Sequence, residues 1–219
     1  AVAGLVALGF AGANVTIPHK TAVVSFCDEL DPVAERAGSV NTLVVREGRV
    51  LGSSTDGAAV VEQVEAAGAR VLLLGAGGAA QAVATALVEA GSASLCVAAR
   101  RSERAHALAS RLLSLFPERH VSAEETWPPE TGEATLIVNA TPVRDELLVV
   151  PERGHTVVDL TYNADEQPTA LVVAASERGC QTVDGLDVLV AQGAASFERW
   201  TGIAAPVEVM RAAVRSLRP

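Results

Sequence analysis

The amino-acid sequence predicts an α/β protein with a doubly wound parallel sheet and a second, smaller α/β lobe. Three observations predict this fold. Residues 70–83 read RVLLLGAGGAAQAV, which is a short apolar strand followed by a glycine turn and a helix. Strand and helix patterns then alternate as far as Asp184, as expected of a parallel sheet. The residues before Asp56 lie outside this alternation and have short strands and helices of their own.

The first block, residues 1–57, has short elements separated by proline and glycine. Pro18 cannot donate to a sheet and ends the first strand, so Lys20 stands at the start of a helix. Asp31 and Pro32 suit the N-cap and the first position of the next helix. The predicted elements are a strand at 14–18, a helix with an apolar stripe at Val23, Phe26, Cys27 and Leu30, and a helix ending at 38. They continue with strands at 40–45 and 50–51, joined as a hairpin by a turn at 46–49, and a helix at 58–67.

The turn after the apolar strand has the spacing of a dinucleotide-binding site. Gly75, Gly77 and Ala80 match the pattern G-x-G-x-x-G/A. The first glycine permits a tight turn, the second lets a pyrophosphate approach the backbone, and a small third residue lets helix and strand pack closely. Free N–H groups at the helix start then bind the anion. A glycine-rich turn without a ligand is the alternative, but the strand and helix patterns around it favour a nucleotide site. The predicted cofactor contacts are Gly75, Ala76, Gly77, Gly78, Ala79 and Ala80.

Arginines after the second strand, residues 94–99, indicate which dinucleotide would bind. An NAD enzyme commonly has an acidic residue there, which accepts a hydrogen bond from the ribose 2′-hydroxyl. This chain has Arg100 and Arg101 instead, with Arg104 one turn further on. A guanidinium can bind a 2′-phosphate through two hydrogen bonds, so the sequence predicts NADP (NADPH). The alternative is that these arginines form the solvated start of the next helix.

Later strands also end in polar loops, where the ligands of α/β proteins usually bind. Strand 136–138 runs into Asn139 and Thr141, and strand 156–160 precedes Tyr162. These three residues and Gly185 complete the predicted cofactor contacts. The other predicted elements are a helix with apolar Ala105, Leu108, Ala109 and Leu112, an irregular segment at 116–133, helices at 168–179, 186–200 and 206–217, and a strand at 181–184. The predicted domains are a lobe of residues 1–57 joined by helices 188–219, and a nucleotide-binding Rossmann domain of residues 58–187.

Composition argues against several classes of partner. The chain has 219 residues, of which 49% are hydrophobic, enough for a sizeable core. Its net charge of −9 argues against nucleic-acid and membrane-surface partners, and no apolar run is long enough to cross a bilayer. Its 3 cysteines are distant from one another in apolar runs. This placement favours small buried hydrophobes over disulfides or metal ligands, so we predict no metal site and a cytoplasmic location.

A nicotinamide enzyme that reduces a ketone needs a proton donor for the developing alkoxide. The first block has Lys20, Asn41 and Asp56 at the ends of its elements. A lysine can donate the proton, and a nearby carboxylate can keep it charged and oriented. Each residue also has a structural interpretation: Lys20 as a solvated helix lysine, Asn41 as a strand-edge amide and Asp56 as a helix N-cap. The residues alone leave both interpretations open.

Five segments of the chain resemble shikimate dehydrogenases in order and spacing. They are Asn14-Val15-Thr16-Ile17-Pro18-His19-Lys20, Gly38-Ser39-Val40-Asn41-Thr42, Thr55-Asp56-Gly57, Gly75 to Ala80, and Gln192 with Phe197-Glu198-Arg199-Trp200-Thr201-Gly202. The resemblance implies NADPH-dependent reduction of 3-dehydroshikimate to shikimate in aromatic amino-acid biosynthesis. The roles that it implies are Lys20 and Asp56 as the catalytic pair, Thr16, Asn41 and Gln192 as ligands of the substrate hydroxyls, and Arg100 and Arg104 as ligands of the 2′-phosphate.

The chain departs from the pattern of that family at four places. The arginine motif is Ala99-Arg100-Arg101 instead of Asn-Arg-Thr, Ser54 replaces an asparagine, and Arg144 and Asp145 replace a glycine and a methionine. The N-terminal strand whose Ser-x-Ser pair binds the substrate carboxylate in the family is not found in this sequence. Two alternatives therefore remain, a quinate or quinate/shikimate dehydrogenase that uses NAD and a non-catalytic dinucleotide-binding paralogue. The sequence also leaves open whether the chain forms a homodimer.

Overall fold

The computed structural model describes residues 1–163 and 167–215, and its first part is a mixed four-stranded sheet. The strands are β1 (Gly12–Asn14), β2 (Glu29–Leu30), β3 (Thr42–Arg46) and β4 (Arg49–Ser53), in the order β1-β3-β4-β2. β3 and β4 form the predicted antiparallel hairpin. Its turn residues Glu47 and Gly48 both have positive φ, 53° and 77°, as a tight two-residue hairpin turn requires. Val40, Leu43 and Val50 belong to the small core of this lobe.

Six parallel strands form the larger sheet. They are β5 (Arg70–Leu74), β6 (Ser94–Ala98), β7 (Val121–Ala123), β8 (Leu136–Asn139), β9 (Thr156–Asp159) and β10 (Gln181–Val183), in the order β10-β9-β8-β5-β6-β7. The chain goes from β5 outward to β7 and then returns to β8 on the other side, which is the strand order of a Rossmann fold. The predicted fold class is therefore confirmed. In such a sheet, ligands bind in the crevice at the carboxyl ends of β5 and β8.

Side-chain caps determine where several helices begin. The Asp31 carboxylate accepts a hydrogen bond from Ala34 N, and Asp184 accepts from the N–H groups of Leu186 and Asp187. The helices are α1 (Val2–Ala7), α2 (Pro32–Ala37), α3 (Asp56–Val61), α4 (Gly78–Glu89), α5 (Ser102–Leu115), α6 (Ala170–Glu177), α7 (Gly185–Thr201) and α8 (Val207–Arg215), with a 3-10 helix at Ala22–Phe26. The predicted end of the last helix at 217 lies outside the described residues. Within 1–163 and 167–215, no helix has the length and apolarity needed to cross a membrane.

The helix predicted after Lys20 is wrong in type and length. Only the 3-10 helix forms there, because the next residues pair with β4: Asp28 N donates to Val50 O at 2.8 Å and Asp31 N to Gly52 O at 2.9 Å. As a result Phe26 is 65% exposed, and Leu30 lies in β2 instead of in the helix. The strand before Pro18 also ends earlier than predicted, at the end of β1.

Two further predictions of secondary structure need correction. The helix predicted over 58–67 ends at Val61, because the Gln63 side-chain amide donates to Ala59 O at 2.6 Å and the Gln63 N–H bonds Val60 O instead. The segment 116–133, predicted to be irregular, contains β7, which pairs in parallel with β6 at the sheet edge. A strand of three residues is too short to give a clear alternation in the sequence.

Helix α7 packs against the first sheet. Its Trp200 Nε1 donates to Leu43 O at 2.8 Å, and Asn14 Nδ2 donates to Ser196 Oγ at 2.9 Å. The indole also lies against Gly12, where an added Cβ would come within 2.3 Å of Trp200 Nε1. Helix α7 therefore joins the small sheet to the large one. The domain boundaries at 57/58 and 187/188 stay predictions.

Candidate active site

The turn between β5 and α4 has the backbone geometry of an anion site. Gly75 has φ of +112°, and an added Cβ would lie 2.9 Å from Ala140 O. A Cβ on Gly77 would meet nothing within 4 Å, so a ligand can approach this backbone closely. Gly77 is the N-cap of α4, whose first N–H groups have no intrahelical acceptor. Ala80 is fully buried and lets α4 pack against the sheet.

A cleft of about 830 Å³ lies over this turn. Its lining includes Gly75, Ala76, Gly77, Gly78, Ala79, Arg100, Arg101, Arg104, Thr141 and, from the first lobe, Ile17, Pro18 and Lys20. Among the described residues, no carboxylate pairs with the guanidinium groups of Arg100, Arg101 or Arg104. Unpaired arginines beside open helix N–H groups suit a dinucleotide with an additional phosphate, so the residues present fit NADP.

Lys20 and Asp56 form an ion pair at the wall of this cleft. Lys20 Nζ lies 2.6 Å from Asp56 Oδ2, and the two side chains are 13% and 7% exposed. Lys20 lines the cleft, whereas Asp56 lies behind it at the start of α3. The lysine is therefore held by a buried carboxylate and can still reach a molecule in the cleft.

Asn41 fixes the other oxygen of Asp56. Its Nδ2 donates to Asp56 Oδ1 at 2.9 Å and to Thr55 Oγ1 at 2.8 Å, and lies 3.3 Å from Gln192 Oε1. Its Oδ1 accepts from Thr55 N at 2.9 Å. Lys20, Asp56, Asn41 and Gln192 thus belong to one hydrogen-bonded cluster, although they come from distant parts of the sequence.

The close approach of Lys20 to the glycine turn depends on Gly78. A Cβ at this position would lie 2.6 Å from Lys20 Cβ and 2.9 Å from Ser39 Oγ. We expect Gly78→Ala to lower the stability of the free protein by about 1–3 kcal/mol through overpacking. Gly77→Ala is the matched control, because its Cβ meets no atom of the protein within 4 Å. Urea unfolding compares the two variants, and equal stability would contradict the close packing of Lys20 on Gly78.

The other predicted site residues lie in several places. Thr16 is exposed, and its carbonyl oxygen accepts from His19 N at 2.9 Å. Asn139 is buried behind the cleft, where its Oδ1 accepts from Thr141 Oγ1 at 2.7 Å and shapes the loop that does line the cleft. Tyr162 and Gly185 line a separate cavity of about 40 Å³. The predicted site residues outside the lining of the large cleft are Thr16, Asn41, Asp56, Ala80, Asn139, Tyr162, Gly185 and Gln192. The functional roles of all the predicted site residues stay predictions.

Comparison with known proteins decides the family of this chain. Three family models match it in order: the shikimate dehydrogenase substrate binding domain over residues 1–43, shikimate / quinate 5-dehydrogenase over 58–125, and the shikimate 5′-dehydrogenase C-terminal domain over 185–215. The shikimate dehydrogenase (NADP(+)) of Moorella thermoacetica is 43% identical over 231 residues, which cover 98% of this chain and 78% of that protein. This chain belongs to the shikimate dehydrogenase family. The resemblance seen in the sequence motifs is thereby confirmed.

Solved structures of this family share the fold. Shikimate 5-dehydrogenase of Thermus thermophilus, in complex with NADP(H) and shikimate, has a TM-score of 0.84 and 34% identity, and the match covers 98% of this chain and 82% of that one. Quinate dehydrogenase from Corynebacterium glutamicum, in complex with NAD, has a TM-score of 0.86 and 32% identity, covering 99% and 81%. Similarity of fold therefore does not by itself separate shikimate from quinate, or NADP from NAD.

Asp159 is a fully buried acidic residue for which the sequence predicted no role. It lies at the end of β9 beside Asn139, and burial raises its pKa to about 6. Its carboxylate accepts from Asn139 Nδ2 at 2.9 Å, Thr161 N at 3.0 Å and Thr169 Oγ1 at 2.6 Å. These bonds lower the pKa, but burial has the larger effect. The sequence feature that could have identified Asp159 is its position at the end of a strand, directly after an apolar run.

Asp159 should make stability depend on pH. Because its pKa is about 6 when folded and 3.8 when unfolded, the folded state alone gains a proton between these values. The contribution to stability is then lowest above pH 6, rises as pH falls toward 4, and levels off below that. Asp159→Asn should remove a difference of roughly 2–3 kcal/mol between pH 7 and pH 4. Urea unfolding at a series of pH values measures this, with exposed Asp145→Asn as control; parallel curves for wild type and Asp159→Asn would contradict the prediction.

Proposed function

We infer that this chain reduces 3-dehydroshikimate to shikimate with NADPH, as an oxidoreductase of aromatic amino-acid biosynthesis. The observation that carries this conclusion is the position of Lys20. Its ammonium group pairs with Asp56 at 2.6 Å, and the same side chain lines the dinucleotide cleft beside the glycine turn. A proton donor and the hydride source therefore meet in one cleft. Membership of the shikimate dehydrogenase family gives the substrate class.

Lys20 and Asp56 supply the acid–base part of the reaction in this proposal. Bound NADPH supplies the hydride. Lys20 Nζ donates a proton to the ketone oxygen as negative charge develops there. Asp56 holds the ammonium group in place through Oδ2, and Asn41 orients that carboxylate through Oδ1. Thr16, Asn41 and Gln192 would bind the hydroxyl groups of the substrate.

The cofactor would lie along the glycine turn and the first turn of α5. The N–H groups at the start of α4 are available to bind the pyrophosphate. The 2′-phosphate would lie among Arg100, Arg101 and Arg104, whose exposed guanidinium groups line the same cleft. Thr141 also lines this cleft, and its hydroxyl donates to Asn139 Oδ1. Tyr162 and Gly185 are proposed as cofactor contacts from sequence alone.

The two alternative functions are weakened by different features. A quinate or quinate/shikimate dehydrogenase with NAD would not need three exposed arginines at the ribose end. A non-catalytic paralogue would not need a complete cluster, yet Lys20, Asp56, Asn41 and Gln192 are all joined by contacts of 3.3 Å or less. Both features favour the NADP-dependent enzyme.

Steady-state oxidation of four substrate and cofactor pairs tests this function. Shikimate and quinate are each supplied with NADP⁺ or NAD⁺, and formation of the reduced cofactor is followed by absorbance. We expect the highest kcat/KM for shikimate with NADP⁺. A preference for quinate with NAD⁺ would support the first alternative, and turnover with none of the pairs would support the second.

A homodimer is the assembly that we propose for this enzyme. Leu8 and Phe10 are 76% and 51% exposed beside β1, which is an edge strand of the small sheet. Exposed apolar side chains of this kind suit burial against a second copy. Sedimentation equilibrium tests the proposal, and a monomer mass at every concentration would contradict it.

We also propose that the enzyme acts in the cytoplasm. Its three cysteines are free but only partly buried, so the expectation of buried cysteines was wrong. Free thiols nevertheless suit a reducing compartment. Partners other than small molecules are not proposed, given the net charge of −9. Fractionation of cells that produce the protein tests its location.

A further inference from the structure

Arg111 connects the two lobes at the edge of the cleft. It lies on α5 of the nucleotide-binding lobe, on the same face as Arg104, and both line the cleft. Its guanidinium does not pair with a carboxylate in the described residues. It donates instead to carbonyl oxygens at the end of α2 in the first lobe: to Ala37 O at 2.6 Å, to Arg36 O, and to Glu35 O at 3.5 Å.

This contact gives hydrogen-bond partners both to the guanidinium group of Arg111 and to the carbonyl groups at the end of α2. The last carbonyl groups of a helix have no intrahelical donor, and they carry the negative end of its dipole. A guanidinium has donors in a fixed planar arrangement that can reach several of these oxygens together. Burial lowers the pKa of Arg111, but an arginine remains charged at any ordinary pH. The charge is thus held at the lobe boundary by carbonyl oxygens.

The sequence after α2 makes this position important for the reaction. Gly38 ends α2 in the left-handed conformation, and a Cβ there would lie 2.8 Å from Arg111 Nη2. The next residues are Ser39, which contacts Gly78, and Val40, whose N–H donates to Lys20 O at 2.9 Å. Asn41 follows and orients Asp56. Arg111 therefore holds the start of the segment that carries the catalytic cluster.

We propose that Arg111 is a positioning residue that fixes the segment 38–41 of the substrate lobe against helix α5 of the nucleotide lobe, and so sets the geometry of the substrate site relative to the cofactor. In this role Arg111 acts through the backbone of α2 and makes no contact with the reacting atoms of the substrate or the cofactor. The inference rests on the proposed function for its kinetic readout, but the contact itself can be tested without a substrate.

A nearby ion pair between Arg36 and Glu89 also joins the lobes. Their side chains are 40% and 30% exposed, so we expect this pair to contribute little to the connection.

Kinetics and hydrogen exchange of Arg111→Met test this role, with Arg111→Lys and Glu89→Gln for comparison. Loss of the charge-assisted bonds should raise the KM for 3-dehydroshikimate about tenfold, while the NADPH dissociation constant changes less than about twofold. Amide exchange over 38–46 should become faster while exchange over 70–74 stays the same. Arg111→Lys keeps one charged donor group, so its KM should lie between those of wild type and Arg111→Met. Glu89→Gln should resemble wild type in both measurements.

Three results would overturn the proposal. An equal loss of NADPH and substrate affinity would make Arg111 a cofactor ligand. A lower melting temperature with unchanged KM and unchanged exchange over 38–46 would leave it a stabilising residue only. Faster exchange over 38–46 in Glu89→Gln to the same extent as in Arg111→Met would assign the connection to the surface ion pair. If wild type does not reduce 3-dehydroshikimate, the proposed function fails, and the exchange comparison still decides whether Arg111 fixes the segment.

Discussion

Replacing Lys20 with methionine should lower turnover on the order of 10²–10⁴-fold, the usual scale of general acid–base catalysis. Methionine keeps most of the length and packing of the lysine stem beside Gly78 but cannot donate a proton. NADPH affinity should stay the same, because the Lys20 ammonium group pairs with Asp56, whereas the predicted phosphate ligands are the N–H groups of α4 and the arginines after β6. Single-turnover oxidation of NADPH with 3-dehydroshikimate measures the loss, and calorimetry with NADPH provides the control.

Asp56 allows the same proposal to be tested as a pair. Asp56→Asn removes the charge 2.6 Å from Lys20 Nζ and leaves a side chain of the same shape. If the two residues act as a unit, the double variant should lose much less activity than the product of the two single losses. Losses that multiply, or a Lys20→Met variant near the wild-type rate, would leave both residues with structural roles only.

Removing two of the exposed arginines should change cofactor preference. Each charge-assisted hydrogen bond contributes about 1.5–3 kcal/mol, so Arg100→Ala should weaken NADPH about tenfold or more, and Arg100→Ala with Arg104→Ala about a hundredfold or more. NADH, which has no 2′-phosphate, should bind almost as it does to wild type. Calorimetry with both cofactors measures this, with Arg153→Ala, exposed and outside the cleft lining, as control. Equal losses for NADPH and NADH would contradict the assignment of these arginines to the 2′-phosphate.

The sequence predicted those parts of the site that depend on neighbours in the chain. The turn at Gly75, the cap at Asp31 and the hairpin around Gly48 each follow from the local conformations that these residues allow, and the structure has all three. The alternation of strands with helices also predicted the parallel sheet, because a parallel connection needs a crossover. Family motifs then identified Lys20 and Asp56, whose pairing the residues alone left open.

Long-range contacts could not be predicted in this way. The bond from Arg111 to Ala37 at the end of α2 spans 74 positions, and no periodic pattern distinguishes this arginine from others on α5. The same applies to Gly78, whose small size is required by Lys20 and not by the turn itself. The three-residue strand β7 was missed because its residues pair only at the sheet edge. In each case the determining partner is distant in sequence.

Transfer of deuterium from labelled NADPH to 3-dehydroshikimate tests the central claim most directly. NADPH that carries deuterium at the transferable position is incubated with this chain and 3-dehydroshikimate, and the product is analysed by NMR. The account predicts shikimate with deuterium on the former ketone carbon, and within the same reaction time Lys20→Met should form it on the order of 10²–10⁴-fold less than wild type. Absence of labelled shikimate with NADPH, or equal labelling by the Lys20→Met variant, would contradict it.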